Sequence, residues 1–90
     1  MARLLAFVDI FVESPEMDNV VKALAQIESI VSVYEVTGEY DIVTLVTSSD
    51  IEHFRSLLKD RILKIKGVKS TVTSVVLKEH PGPASGFSRD

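Results

Sequence analysis

The sequence predicts a ferredoxin-like α+β fold with the element order β-α-β-β-α-β. Four runs are rich in Val, Ile, Leu, Phe and Thr, which is typical of strands. Two further segments, one after the first run and one after the third, have apolar residues that recur at helical spacing. The two β-α-β halves, roughly 4–37 and 41–77, also agree in length and element order. We therefore expect one four-stranded antiparallel sheet with both helices on one of its faces.

The first half contains two predicted strands and one predicted helix. Residues 4–12 are almost continuously apolar and are typical of a buried strand. Ser14 and Pro15 indicate a helix start, because Ser can cap a helix and Pro suits the first helical position. The apolar stripe of this helix consists of Val20, Val21, Leu24 and Ile27. The second strand is predicted over residues 31–37.

The second half repeats this order after a turn at residues 38–40. A third strand is predicted over 41–47, and Ser49 with Glu52 three residues later fits a capping box. The apolar stripe of the second helix is Ile51, Phe54, Leu57, Leu58, Ile62 and Ile65, with Arg61 as its one polar member. A basic residue followed by Gly67 ends the helix, and the fourth strand covers 68–77.

Composition indicates one small domain that needs additional stabilisation. Residues 1–79 form the predicted domain, and residues 80–90, rich in Pro, Gly and Ser, form a tail that we expect to be disordered. A core of this size supplies only ~3–5 kcal/mol. The chain has no cysteine, so neither a disulfide nor a thiolate metal site is available. Association with further copies remains as the route to stability.

The charge balance argues against a nucleic-acid surface. Thirteen acidic residues outnumber ten basic ones, giving a net charge of −3, whereas DNA binding depends on cations placed against phosphates. The strongest basic cluster is Lys59, Arg61, Lys64, Lys66 and Lys69. It falls at the end of the second predicted helix, where cations favour the helix dipole, although a binding patch stays open as an alternative. The N-terminal apolar run is too short to span a membrane and lacks a cleavage site, which predicts a soluble cytoplasmic protein without a membrane partner.

Apolar residues occur on both faces of the predicted strands. In the first strand Leu5, Phe7 and Phe11 point away from the side of Ala6 and Val8. An antiparallel sheet with one solvated face should alternate apolar with polar residues. A second copy is the simplest cover for the open face, since burying ~600 Å² of apolar area contributes ~15 kcal/mol before the costs of association. The sequence therefore predicts a homodimer formed through the sheet.

Catalytic signatures are weak throughout the chain. No Ser-His-Asp set, Gly-rich phosphate loop or cofactor motif is present, and we expect neither a catalytic residue, a metal nor a cofactor. His53 is best explained as a surface residue near a helix start, and His80 opens the tail. Asp9 is unusual because it interrupts an apolar strand. It indicates either a polar residue paired at the dimer interface or a feature of a sheet edge.

Polar side chains cluster at two places that could bind a small molecule. The turn joins Gly38, Glu39, Tyr40 and Asp41, although Gly in a hairpin and a Tyr-Asp start to a strand have an ordinary structural explanation. The last strand carries the hydroxyls of Ser70, Thr71, Thr73 and Ser74, and Thr is also simply a good strand former. Because the fourth strand lies beyond the first in this fold, the turn and the hydroxyls meet only if copies assemble.

From Leu4 to Glu79 the chain resembles the effector-binding module, or RAM domain, of the Lrp/AsnC family of transcription regulators. The matching pieces are Ala6-Phe7-Val8, Val33-Tyr34-Glu35-Val36-Thr37-Gly38-Glu39-Tyr40-Asp41, Ile65-Lys66-Gly67-Val68 and Ser70-Thr71-Val72-Thr73. The hairpin is the specific part of this resemblance. The family's helix-turn-helix domain has no counterpart before the first strand, so the chain looks like a stand-alone RAM protein, and direct DNA binding is not expected.

The resemblance implies a dimer through the sheet faces, rings of dimers such as octamers, and a free amino acid bound between dimers. It places Gly38, Tyr40 and Asp41 in the hairpin motif and Thr71 and Thr73 in the last strand. Asp41 would hold the ammonium group and the threonines the carboxylate. Glu39 would select among side chains.

These expectations predict a non-enzymatic amino-acid sensor. It would modulate transcription or metabolism through assembly with itself or with a full-length family regulator. Two alternatives stay open, namely a small dimeric ferredoxin-like enzyme that uses Asp9 or His53, and an assembly module without a ligand.

Overall fold

The computed structural model describes residues 3–85 and confirms the predicted element order. The strands are β1 (Leu4–Val12), β2 (Ile30–Glu35), β3 (Ile42–Ser48) and β4 (Val68–Val75). A 3-10 turn at Ser14–Glu16 leads into helix α1 (Met17–Ala25), and helix α2 (Ile51–Leu57) continues into a π-helical segment, Leu58–Ile62. Within residues 3–85, no helix combines the length and the apolar character that crossing a membrane requires.

The four strands form one antiparallel sheet in the order β2-β3-β1-β4. β1 and β3 are internal, and β2 and β4 are the two edges. In β1, Ile10 lies opposite Ile42 of β3 on one side and opposite Thr71 of β4 on the other. This register places the β2–β3 turn and the beginning of β4 at the same end of the sheet, with β1 between them.

The core lies between the sheet and the two helices. Cross-strand partners share a face of the sheet, so Val8 and Thr44 both point toward the helices. The hydroxyl of Thr44 is fully buried and donates a hydrogen bond to the Val8 carbonyl at 3.1 Å, which satisfies it. The buried apolar side chains are Ala6, Val8, Ile10, Val12, Val20, Leu24, Ile27, Ile42, Val46, Phe54, Leu57 and Ile62.

The opposite face of the sheet, called the open face below, is also largely apolar. It carries Leu5, Phe7, Asp9 and Phe11 of β1, Ser32 and Tyr34 of β2, Val43, Leu45 and Thr47 of β3, and Ser70, Val72 and Ser74 of β4. Phe7 and Val72 remain 40% and 44% exposed. The prediction that apolar residues occupy both faces is therefore confirmed, and the single chain leaves this face accessible to solvent.

Both predicted helix starts are confirmed in part, because a helical turn begins at Ser14 with Pro15 in its first positions and the run Ser48-Ser49-Asp50 contains the cap of the second helix, but neither Ser14 nor Ser49 is a cap. Ser14 and Pro15 lie in the 3-10 turn, which no side chain caps. Asp50, and not Ser49, is the N-cap of α2, and its Oδ1 accepts a hydrogen bond from the His53 backbone N–H at 2.8 Å. Asp50 has extended backbone angles, which direct its carboxylate at the third N–H of the helix.

The second helical segment also ends differently from the prediction. α2 stops at Leu57, and a π-helical segment follows in which the Leu63 N–H donates to the Leu58 carbonyl five residues earlier, at 2.9 Å. Ile62 is nevertheless fully buried, so the apolar stripe still faces the core. Gly67, predicted to end this helix, lies instead in the turn just before β4, with a positive φ of +104°. The basic cluster is exposed at all five positions.

The strand ends differ from the predicted ends by one or two residues. β2 ends at Glu35, and β4 ends at Val75, although the Val76 N–H still donates to the Leu5 carbonyl at 2.8 Å. Residues 77–85 are exposed, and Leu77 has 97% of its surface accessible. The predicted disordered tail covers 80–90, and residues 86–90 of it lie outside the described part of the chain.

Candidate functional site

The β2–β3 hairpin closes on a backbone hydrogen bond. The Val36 N–H donates to the Asp41 carbonyl at 3.1 Å, and Gly38 lies in the loop between them with a φ of +110°. This positive φ favours glycine, and no atom lies within 4 Å of the position that a Cβ would occupy. The loop therefore presents an open stretch of backbone that a small ligand can approach closely.

Asp41 is fixed to the end of β1 by two hydrogen bonds. Its backbone N–H donates to the Ile10 carbonyl at 3.1 Å, and its Oδ2 accepts from the Val12 backbone N–H at 2.8 Å. Within residues 3–85 no hydrogen bond reaches the second carboxylate oxygen, Oδ1. The half-buried carboxylate is thus held in place by the protein and keeps an acceptor for a donor from outside the chain.

Tyr40 packs against an aromatic residue that the sequence did not single out for the site. Its ring centroid lies 5.0 Å from that of Phe11, at an interplanar angle of 59°. This tilted arrangement is one that aromatic pairs prefer. Phe11 lies at the end of β1 on the open face, so the pair joins the hairpin to that face. The pairing of the hairpin with the end of β1 in this fold could have indicated Phe11.

Thr71 and Thr73 lie on the other side of β1 from the hairpin. Their partners in β1 are Ile10 and Val8, which places both threonines on the helix side of the edge strand β4. Two strand spacings of about 4.8 Å separate β3 from β4, so the threonines are about 10 Å from the strand of Asp41. One chain therefore does not bring the six candidate residues into a single pocket, namely Gly38, Glu39, Tyr40, Asp41, Thr71 and Thr73. Both threonines are half-buried, and Glu39 is exposed at the tip of the loop.

A separate cavity of about 320 Å³ lies on the helix side of the molecule, away from the hairpin. It is lined by Ile27, Glu28, Ser29, His53, Ser56, Leu57, Asp60 and Arg61. The Ser48 hydroxyl donates to the Asp50 carbonyl at 3.0 Å and contacts the Nδ1 of His53 at 3.0 Å. Which of the two atoms donates in the Ser48–His53 contact depends on the tautomer of the imidazole. Ser48 is fully buried.

Asp9 and His53 are the remaining candidate residues, and they lie in different parts of the fold. Asp9 lies on an internal strand, so its interpretation as an edge feature is wrong. Among the described residues, no group of three or more His, Asp or Glu side chains has the arrangement of a metal site. His53 is exposed, as predicted.

Comparison with known proteins agrees with this fold. The family model of the Lrp/AsnC ligand binding domain matches residues 5–82. The HTH-type transcriptional regulator FL11 of Pyrococcus horikoshii is 39% identical over 77 residues, which are 86% of this chain and 50% of the regulator. A shorter match, 36% identical over 61 residues and 68% of this chain, covers 13% of a homocitrate synthase of Sulfolobus acidocaldarius. The chain thus spans about half the length of the curated regulator that it matches.

Two solved structures have the same fold. The protein TTHA0845 of Thermus thermophilus is 32% identical, with a TM-score of 0.82 over 88% of this chain and 99% of its own. A feast or famine regulatory protein of M. tuberculosis, solved in complex with L-methionine, is 30% identical, with a TM-score of 0.76 over 89% of this chain and 54% of its own. Because the family model matches residues 5–82, most of its length, the chain belongs to the Lrp/AsnC ligand binding domain family.

Proposed function

We propose that this protein is a non-enzymatic amino-acid sensor that regulates transcription or metabolism by changing its assembly. The observation that carries this proposal is Asp41, whose carboxylate is held by the Val12 N–H through one oxygen and keeps the other available. A carboxylate oxygen fixed beside an open loop is suited to an α-ammonium group, because a charge-assisted hydrogen bond is strong and directional.

Each hairpin residue has a distinct role in this proposal. Gly38 lets the ligand backbone approach the loop, since no side chain occupies the space above it. Tyr40, supported by Phe11, provides an apolar wall for the ligand side chain. Glu39 is exposed at the loop tip and would act on longer or charged ligand side chains.

The ligand carboxylate would be bound by a different copy of the chain. Thr71 and Thr73 lie across β1 from Asp41, so a site that uses all of these groups requires β4 of a neighbouring copy to face the hairpin. The amino acid would then lie between dimers, and its binding would favour assembly of dimers into a ring such as an octamer. In this way effector concentration would be converted into oligomeric state.

The dimer itself would form through the open face. That face exposes part of Phe7, Val72 and Tyr34 in the single chain. Burying ~600 Å² of apolar area contributes roughly 15 kcal/mol before association costs, a large amount for a domain of this size.

The regulatory partner is either another copy or a full-length family regulator. The relative FL11 is called a transcriptional regulator, and the matched region of the M. tuberculosis protein belongs to a structure with L-methionine. Mixed assembly with such a regulator would change the number of DNA-binding domains in a ring. Regulation of metabolism is the other route in this proposal.

A thermal-shift screen with the twenty amino acids tests the proposal. A ligand at 100 times its Kd stabilises by about 2.7 kcal/mol, which shifts the Tm of a domain of this size by roughly 10–20 °C. Light scattering in parallel should detect a dimer that becomes larger with the effector. If no amino acid shifts the Tm, the sensor proposal is wrong and an assembly module without a ligand is the better explanation.

A further inference from the structure

The open face carries one carboxylate in an apolar setting. Asp9 is half-buried on the internal strand β1, with Val43 and Val72 as its partners in the neighbouring strands. Phe7 and Phe11 flank it along β1 on the same face. Within residues 3–85 no hydrogen bond or ion pair reaches the Asp9 side chain, and its oxygens contact solvent. Covering this face would remove that solvent and leave the charge unpaired.

An unpaired buried charge is costly enough to oppose association. A covered carboxylate therefore requires a cation or several hydrogen-bond donors from the covering partner. Within the residue ranges of the four strands, Asp9 is the one charged residue whose side chain lies on the open face. Lys69 lies in the bulge opposite Phe11 and Val12, outside the regular alternation.

A cation lies at the N-terminal end of the same strand. The Nε of Arg3 donates to the Thr47 hydroxyl at 3.1 Å, and Thr47 is a residue of the open face. This contact keeps the exposed guanidinium beside the open face, where its partner in the described chain is a neutral hydroxyl. The face thus has a negative group one residue past the middle of β1 and a positive group just before its first residue.

We propose that Asp9 of each chain pairs with Arg3 of a second copy, and that these two ion pairs fix the dimer in an antiparallel register. This inference rests on the open-face dimer of the proposed function. A two-fold axis across β1 at Ala6 brings each Asp9 opposite the partner's Arg3, because three residues separate Ala6 from either position. The same axis places Leu5 opposite the partner's Phe7, so apolar side chains meet between the two ion pairs.

The dimensions of packed sheets agree with this pairing. Facing sheets lie about 10 Å apart, and three strand residues span about 10 Å along β1. When the strands of the two sheets cross at about 30°, facing residues at that distance from the axis are offset sideways by about 5 Å. The arginine side chain is long and the aspartate side chain is short, so the arginine spans most of the distance between the two sheets. Two-fold symmetry then forms both pairs at once.

A charge-swap experiment tests the pairing. The variants Asp9→Arg and Arg3→Asp each place like charges opposite one another twice in their own homodimers. If each pair is worth about tenfold, either variant should dimerise on the order of 100-fold more weakly than wild type. Mixing the two variants should restore association, since every contact in the heterodimer then joins opposite charges. Analytical ultracentrifugation measures all three dissociation constants.

Lys78 provides the matched control. It lies just beyond β4, and the Val76 N–H that extends this strand donates to the Leu5 carbonyl. Lys78 is therefore a second cation near the end of β1 at which Arg3 lies. Lys78→Asp should dimerise like wild type and should not rescue Asp9→Arg. Rescue by Lys78→Asp in place of Arg3→Asp would overturn the assignment of Arg3.

The outcomes of these experiments distinguish the ion pair from the two proposals on which it rests, the open-face dimer and the amino-acid sensor. A monomeric wild type contradicts the open-face dimer, and a wild type that binds no amino acid contradicts the sensor. A dimeric wild type whose swapped variants show no rescue refutes the ion pair alone. If Asp9→Arg does not fold by circular dichroism, Arg3→Asp is compared with the double variant Arg3→Asp/Asp9→Asn. The double variant should dimerise at least several-fold more tightly, and equal dimerisation refutes the pairing.

Discussion

Replacing Asp41 separates its structural role from its proposed role in binding. Asp41→Asn keeps an oxygen that can accept the Val12 N–H bond, observed at 2.8 Å, and removes the negative charge. Asp41→Ala removes both the acceptor and the charge. The two variants therefore differ in the backbone hydrogen bond and share the loss of the proposed ammonium partner.

The expected effects on stability follow from that bond. Hydrogen bonds to charged groups contribute ~1.5–3 kcal/mol and neutral ones ~0.5–1.5 kcal/mol, so Asp41→Asn should lower the free energy of unfolding by about 1 kcal/mol. Asp41→Ala leaves the half-buried Val12 N–H without its acceptor and should lower it by roughly 1–3 kcal/mol. Urea denaturation followed by circular dichroism measures both values.

The expected effect on binding is the same for both variants. An α-ammonium that loses a charged partner loses ~1.5–3 kcal/mol, which corresponds to affinities roughly 10- to 150-fold weaker. Calorimetric titration with the amino acid found in the screen measures this change. The reasoning is refuted if the folded Asp41→Asn protein binds as tightly as wild type. A binding loss in Asp41→Ala alone would assign Asp41 a purely structural role.

Two further comparisons of variants and one binding experiment have definite expected outcomes. Gly67→Ala should destabilise the protein by at least ~3 kcal/mol, because φ is +104° and the new Cβ would clash with the Cβ of Glu16. Gly38→Ala, at φ +110°, meets no atom within 4 Å and should cost only ~1–2 kcal/mol. Equal losses in thermal unfolding of the two variants would contradict this steric argument. Asp50→Ala removes the N-cap bond to the His53 N–H and should cost ~0.5–2 kcal/mol, measured by urea denaturation; a value below that range would mean that water replaces the cap. The 90-residue chain, with its net charge of −3, should form no sequence-selective complex in a gel shift at physiological salt, and a selective complex would disprove this expectation.

Local patterns were enough to predict most of the fold. The order of elements, the strand β1 and the apolar character of both sheet faces follow from periods of two and 3.6 residues, which neighbouring residues in the sequence define. The helix boundaries were less predictable. Ser49 and Asp50 are both suitable caps by residue type, and only the backbone angles at Asp50 direct its carboxylate to the helix N–H groups. Nothing local in residues 58–62 distinguishes a π-helical segment from a continued α-helix.

The sequence by itself determined which residue types are available at the candidate site, because Gly38, Tyr40 and Asp41 are neighbours in one turn. The tertiary structure decided what each of them contacts. The register of β1 with β3 brings the Val12 N–H to Asp41 and the Phe11 ring to Tyr40, across nearly thirty positions of sequence. The position of β1 between the hairpin and Thr71, by contrast, was predicted from the ferredoxin-like element order and is confirmed. Strand pairing is a long-range property that depends on the whole chain closing around one core, and for that reason no local pattern could predict these contacts.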